Sequence, residues 1–258
     1  MVSNDIDIRP RWDALARMLL GLGQTPDAAM TTTWSRLHDG ARRRWRALLG
    51  APHTEATVEL WNAVRARHPG FVEAVFADAR TAAALRGDRH EFRSWLDAAV
   101  QAVRLAIVSD SFLAQACYRA KAACQARRVP MLPRLLHRLA MITGQVCIGD
   151  PVIVQPGVYI PHGQVVLDGV VEIGEGVVLF PFVTVGLQAG ETRGPTIGTG
   201  AVIGSGAKVL GPVRVGPGAR VGANAVVIAD VPEGATVVGA PARPTGTPHG
   251  DGARLMDR

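Results

Sequence analysis

The chain has 258 residues, a formal charge of +6 and 48% hydrophobic residues, enough apolar material for a substantial core. No run approaches the roughly 18 consecutive apolar residues of a membrane-spanning helix, and the opening MVSNDIDIRPRWD has no apolar leader segment. A cytoplasmic protein without a membrane partner is expected.

The three cysteines, Cys117, Cys124 and Cys147, show no metal-ligand spacing and fit a reducing compartment; no bound metal is expected. Nearly all the positive charge is arginine, Lys121 and Lys208 being the only lysines. The basic residues are dispersed and no nucleic-acid motif accompanies them. They fit a compositional bias better than a surface for a polyanion, and no nucleic-acid partner is expected.

Residues 1–146 read as a helical N-terminal domain. Apolar residues recur at spacings of three and four, as in Trp12, Leu15, Met18, Leu19 and Leu22, and Thr31, Thr32 and Thr33 precede Trp34 as a helix start. Glu91 to Val108 is a further amphipathic stretch, carrying Trp95, Leu96, Ala99, Val103 and Leu105. Ser109, Asp110 and Ser111 are N-cap candidates for a helix through about Ala126. Pro130 and Pro133 break that pattern, which restarts from Leu135 to Ile142. With few strand signals, a helical bundle is expected.

After Gly144 the pattern changes. Aliphatic residues fall six apart at Ile148, Val154, Ile160 and Val166. After one extra residue they resume at Ile173, Leu179 and Val185, then run through Ile197, Ile203, Val209, Val215, Val221 and Val227. Glycine often follows the aliphatic, and small or β-branched residues stand four after it, as at Ala201, Ala207, Val213, Ala219 and Ala225. One hexad makes a short strand and a turn, and three make a triangular coil whose inward aliphatic stacks on its equivalent one coil away. The fold class is therefore α+β: an N-terminal helical bundle followed, over residues 147–243, by a left-handed parallel β-helix. Residues 244–258 read as a flexible tail. Between Val185 and Ile197 the aliphatic pattern lapses, with Glu191 at an inward position, so this segment reads as a loop leaving the coil, a usual location for binding residues.

Several motifs resemble the serine O-acetyltransferases, within the hexapeptide-repeat acyltransferases. They are Tyr118-Arg119 near the end of a helix, then Val129-Pro130 and Pro133, then Ile160-Pro161-His162-Gly163. Thr184-Val185-Gly186 and Arg193-Gly194-Pro195-Thr196-Ile197 follow, then the run from Ile203 to Gly211, and the ending Val237 to Arg243. The resemblance implies a CoA-dependent acyltransferase acting on serine or a serine-like hydroxyl or amine acceptor, with acetyl-CoA or another acyl-CoA as co-substrate. It also implies a homotrimer holding acyl-CoA between neighbouring coils, with a dimer of trimers through the helical half.

The resemblance further implies catalytic His162, substrate-binding Arg193, and acyl-CoA contacts at Gly186, Ser205 and Ala223. A neutral imidazole, with an ordinary pKa of about 6.5, suits removal of a proton from an attacking hydroxyl. A guanidinium suits a bidentate hold on a carboxylate, and a backbone N–H such as that of Gly186 suits an oxyanion. Where the family keeps an aspartate fifteen residues before the histidine, this chain has Cys147. That cysteine is a second catalytic candidate, with Asp150, Asp168 or a main-chain carbonyl as substitutes in orienting the ring.

Other departures are Pro161 in place of aspartate, Gly194 in place of histidine, and no clear acidic match between Val103 and Asp110. The ending Leu255-Met256-Asp257-Arg258 lacks the terminal isoleucine of members that dock into cysteine synthase, so that partner is not expected. The alternatives are a non-catalytic trimeric binding or assembly protein, or acyl transfer to a carrier-bound or amino-sugar acceptor.

Overall fold

The computed structural model describes residues 55–191 and 193–245. The helical spacing around Trp12 to Leu22, the start at Thr31 to Thr33, and the tail on which the cysteine synthase expectation rests lie outside the described residues.

Among the described residues five helices precede the strands: α1 (Glu55–Ala66), α2 (Phe71–Leu85), α3 (Trp95–Val108), α4 (Phe112–Ala126) and α5 (Leu132–Gly144). Ser94 caps α3, its hydroxyl accepting from the Asp97 N–H. Ala102 and Leu105 of α3 pack with Val75, Ala79 and Ala82 of α2 and Phe112 of α4. The larger residues of α3, Leu96, Val100, Val103 and Ile107, stay exposed, so the helix buries mainly its narrow alanine face. The helix α5 begins at Leu132 rather than at the expected Leu135. Pro133 falls in its first turn, where its missing N–H would have no intrahelical partner. No helix of the described residues is long and apolar enough to cross a membrane.

Fourteen short strands follow among the described residues: β1 (Val146–Ile148), β2 (Ile153–Val154), β3 (Val165–Leu167), β4 (Val170–Ile173), β5 (Val178–Leu179), β6 (Thr184–Gly186), β7 (Arg193–Ile197), β8 (Val202–Ile203), β9 (Lys208–Leu210), β10 (Arg214–Val215), β11 (Arg220–Val221), β12 (Val226–Val227), β13 (Thr236–Val238) and β14 (Arg243–Pro244). They form three faces of a prism, β1-β3-β6-β9-β12, β2-β4-β7-β10 and β5-β8-β11-β13-β14. All pairings are parallel except β13 with β14. This is the left-handed parallel β-helix that the hexad spacing predicts.

Each face buries one stacked column: Ile148, Leu167, Val185, Val209 and Val227 on the first, Val154, Ile173, Ile197 and Val215 on the second, and Leu179, Ile203, Val221 and Val237 on the third. Regular coils repeat every 18 residues, as in Ile203↔Val221 and Ile197↔Val215. The glycines after the aliphatics serve close approach: a Cβ on Gly216 would lie 2.4 Å from the Glu233 nitrogen.

Three coils depart from 18: the last, from Val221 to Val237, steps only 16 residues, and two earlier ones are longer. Leu167 pairs with Ile148, a step of 19, so the extra residue lies between Ile160 and Leu167. Val166, expected inward, points out and is 39% exposed, while Val165 and Leu167 are buried; a one-residue shift turns a strand's side chains over. The step from Ile173 to Ile197 is 24, six beyond the regular coil, and this surplus forms the exposed excursion Leu187 to Glu191.

The first coil meets α4 on the side away from the second coil. The helix turns a buried polar face to it, and each group finds a main-chain carbonyl. Gln115 Nε2 donates to Val158 O at 2.8 Å, Tyr118 OH to Val152 O at 2.9 Å and Lys121 Nζ to Ile148 O at 2.6 Å. Ser111 Oγ donates to Ile160 O, and Arg119 donates to Val154 O and Gln155 O. Asp78 of α2 accepts from Arg119 Nε at 2.9 Å and from the Gly157 N–H at 2.9 Å, balancing the buried guanidinium. Buried backbone acceptors need such partners, and a polar but buried helix face supplies them. Both lysines of the chain end on coil carbonyls, since Lys208 donates to Phe182 O.

Candidate active site

The longer corner of the first coil, Pro161 to Gln164, carries the histidine. Here the chain takes its extra residue, and Gln164 adopts a left-handed φ of 66°. Gly163 is pressed on the end of α5, where an added Cβ would fall 1.6 Å from Gly144 O. Gly144 in turn allows α5 to approach α4, because its own Cβ would fall 2.8 Å from Ala114 Cβ and 3.2 Å from Asp110 O. Two glycines thus seat the corner against the α3–α4 junction.

His162 projects from this corner, and its Nδ1 lies 2.9 Å from Asp110 Oδ2. The pair is open in the single chain, His162 at 64% and Asp110 at 73% side-chain exposure. A hollow of about 240 Å³ beside it is lined by Asp110, Ile142, Thr143, Gln145, His162 and Gln164, with the two glycines between them.

Cys147 stands on β1 with its side chain outside the coil and half-buried, between the inward Val146 and Ile148. Burial pushes its thiol up, and the Asp168 carboxylate adds to that while Lys121 works against it. Such a group stays a neutral thiol at neutral pH. Of the carboxylates expected to orient the ring, Asp150 accepts from Lys121 Nζ at 2.9 Å, and Asp168 sits where a Cβ on Gly149 would meet its Oδ1 at 2.7 Å. The ring's partner is Asp110, which sequence reasoning assigned only to helix capping. The one signal for it was surplus: Ser109, Asp110 and Ser111 are three capping residues for one helix start. In the structure Ser111 holds the N-cap position without a side-chain cap bond.

The remaining candidates divide between two edges of the prism. His162, Ser205 and Ala223 share the edge that precedes the β1-β3-β6-β9-β12 face. Its corners are joined by Phe182 N–H to Gln164 O, Gly206 N–H to Pro181 O and Asn224 N–H to Ser205 O. Ser205 and Ala223 are exposed there, one coil apart. Gly186 and Arg193 lie across that face, on the edge bearing the excursion. Arg193 was read as a loop residue. It opens strand β7 and pairs with Val170; the register shift that follows breaks the alternation, so Arg193 is exposed while Pro195 and Ile197 face the core. Gly194, where the family motif has histidine, has a packing reason: a Cβ would meet Val171 Cγ2 at 2.6 Å. Gly186 is roomier, its nearest prospective Cβ contact being Asp168 O at 3.5 Å.

A helical region joined to a left-handed coil of hexapeptides, with a histidine at a lengthened corner, defines a hexapeptide-repeat acyltransferase. The family Bacterial transferase hexapeptide (six repeats) matches residues 194–229. The chain is 41% identical over 131 residues to a serine acetyltransferase of Helicobacter pylori strain J99, covering 49% of this chain and 76% of that one. Among solved structures, soybean serine acetyltransferase apoenzyme superposes with a TM-score of 0.58 at 31% identity, covering 70% of this chain and 71% of that one. A serine acetyltransferase in complex with CoA gives 0.53 at 27% identity, over 66% and 68% of the two chains. The chain belongs to the serine acetyltransferase family, and is a CoA-dependent acyltransferase.

Proposed function

We propose that this protein transfers the acetyl group of acetyl-CoA to the hydroxyl of serine, with His162 as general base. The observation that carries the reading is His162 itself, set on the one corner the coil lengthens by a residue and held at Nδ1 by a carboxylate. In that state Nε2 keeps the lone pair. His162 takes the proton from the serine hydroxyl as its oxygen adds to the thioester carbonyl, and returns it to the departing thiolate as the C–S bond breaks. Arg193 holds the serine carboxylate, and Gly186 contributes a backbone contact. Ser205 and Ala223 leave a low surface along the His162 edge, suited to a thin pantetheine arm. Cys147, a thiol that burial keeps neutral, takes no part in this proton transfer.

The candidates occupy two edges of one prism, and this division supports a trimer in which a neighbour's Gly186 and Arg193 edge faces the His162 edge. The exposed stripe Leu96, Val100, Val103 and Ile107 of α3 supports pairing of two trimers through the helices. Light scattering should give a trimer or its double; a monomer at micromolar concentration counts against the shared site.

The test of the activity is an acceptor screen with acetyl-CoA and a free-thiol readout, covering serine, homoserine, other amino acids and amino sugars. Serine-dependent thiol release is expected, and His162→Ala should lower turnover by roughly 10²- to 10⁴-fold with CoA affinity unchanged. Absence of thiol release with every acceptor would favour a binding or assembly role.

A further inference from the structure

We infer that Asp110, a residue of the helical half, is the positioning residue of the catalytic base: its carboxylate accepts the Nδ1–H of His162 and so keeps the lone pair on Nε2. The inference rests on His162 being the base. A neutral imidazole can carry its proton on either nitrogen, and only one tautomer leaves Nε2 free to accept from a hydroxyl. A carboxylate at Nδ1 selects that tautomer and stabilises the imidazolium formed during the step, without itself taking the proton.

Three observations assign this task to Asp110. The first is distance, 2.9 Å between groups 52 residues apart in the chain. The second is anchorage at both ends. Ser109 and Ser111, flanking Asp110, are buried at 7% and 0% exposure, and Ser111 Oγ donates to the carbonyl of Ile160, two residues before His162. The contacts of Gly163 with Gly144, and of Gly144 with the Asp110 backbone, close the same triangle. The carboxylate and the ring therefore belong to one packed unit although both side chains reach solvent. The third is that the carboxylate is not the one that caps α4: Ser111 holds that position, and the described hydrogen bond of Asp110 goes to the imidazole.

Among the described residues the coil offers His162 no equivalent. Asp150 is tied to Lys121, and Asp168 stands by Gly149 on the opposite edge. The family's coil position for an orienting aspartate holds Cys147. So the α3–α4 junction supplies an active-site group, and the helical half takes part in the chemistry as well as in packing. A hydrogen bond this exposed contributes little to stability, so its removal should leave the fold intact.

The test compares Asp110→Ala, Asp110→Glu and His162→Ala in the full-length protein, by kcat and KM for serine and by ¹⁵N shifts of selectively labelled histidine, the His162 signal being the one absent from His162→Ala. Asp110→Ala is expected to lower kcat by roughly 10- to 10³-fold with both KM values little changed. Its His162 shifts should move from the Nδ1–H form toward a tautomer mixture, with an unchanged melting temperature, and Asp110→Glu should restore part of both signals. If Asp110→Ala raises the KM for serine with kcat retained, the carboxylate holds the substrate's ammonium and the inference is overturned. Loss of activity in His162→Ala but none in Asp110→Ala overturns this inference alone. Full activity in His162→Ala overturns the general-base reading beneath it.

Discussion

The first coil, residues 146 to 164, and the coils from Thr184 onward are held in different ways. The later coils are stacked on one another, and their polar backbone is joined mainly by parallel ladders, several of which step 18 residues. The first coil has a ladder on one side, and on the other the buried side chains of α4. A ladder spreads stability over many near-equal contacts. The α4 contacts concentrate it in a few buried polar groups, each with specific partners. Substitutions should accordingly cost most where α4 meets the coil and less within the stacked columns.

The largest effect is expected at Asp78. Asp78→Ala leaves the Arg119 guanidinium buried without its carboxylate and should destabilise by about 3–5 kcal/mol in chemical denaturation. A change under about 1 kcal/mol would mean that the carbonyls of Val154 and Gln155 suffice for Arg119. Next comes His68, close to Tyr118 and to the charges of Arg119 and Lys121. Burial, aided by those two cations, lowers its imidazole from 6.5 to about 4. Between those pH values the unfolded chain binds a proton that the folded chain does not. Stability should therefore be full above about pH 6.5 and fall as pH drops toward about 4, by about 1–2 kcal/mol after allowing for partial solvent access. Denaturation midpoints measured from pH 7.5 to pH 4 should show this slope, and His68→Gln should flatten it.

Within the columns, Ile203→Val should cost only about 0.5–1.5 kcal/mol. A cost matching that of Asp78→Ala would erase the contrast between ladder and cap. Arg67→Ala is expected to be smaller again. It breaks the bidentate pair with Glu172 at 2.6 and 2.7 Å, but Arg67 is 53% exposed, so the loss should stay below about 1 kcal/mol. Smallest is Cys147→Ala, expected to leave turnover and its pH profile unchanged, since the thiol keeps its proton. Loss of a limb from that profile would make Cys147 a participant after all.

The stacked columns were legible because a six-residue period leaves little choice of inward residue where one aliphatic stands between polar neighbours. At Val165, Val166 and Leu167 three aliphatics adjoin, the period cannot choose among them, and the inward position was placed one residue early. Arg193 read as a loop residue because Gly194 and Pro195 carry no aliphatic signal, although Pro195 fills the inward place. His162 was legible from its local motif. Asp110 was not, since its pairing joins a helix junction to a coil corner and depends on Gly144 and Gly163 having no side chains. The polar buried face of α4 was equally hidden: Gln115, Arg119 and Lys121 look like solvent-facing residues until the carbonyls they meet are known.

The way the coil is closed at its two ends bears on how it avoids polymerising. A parallel coil with a bare end is a template on which another coil can add its strands, as at any unpaired sheet edge, and repeated addition would build a fibre. At one end α4 occupies the carbonyls that such a newcomer would need. At the other, β14 runs antiparallel to β13 and places Pro244, which has no N–H, opposite Val237. The helices are thus a stopper against polymerisation as well as a support. A coil freed of them, by truncation or by proteolysis ahead of Val146, should join end to end into filaments.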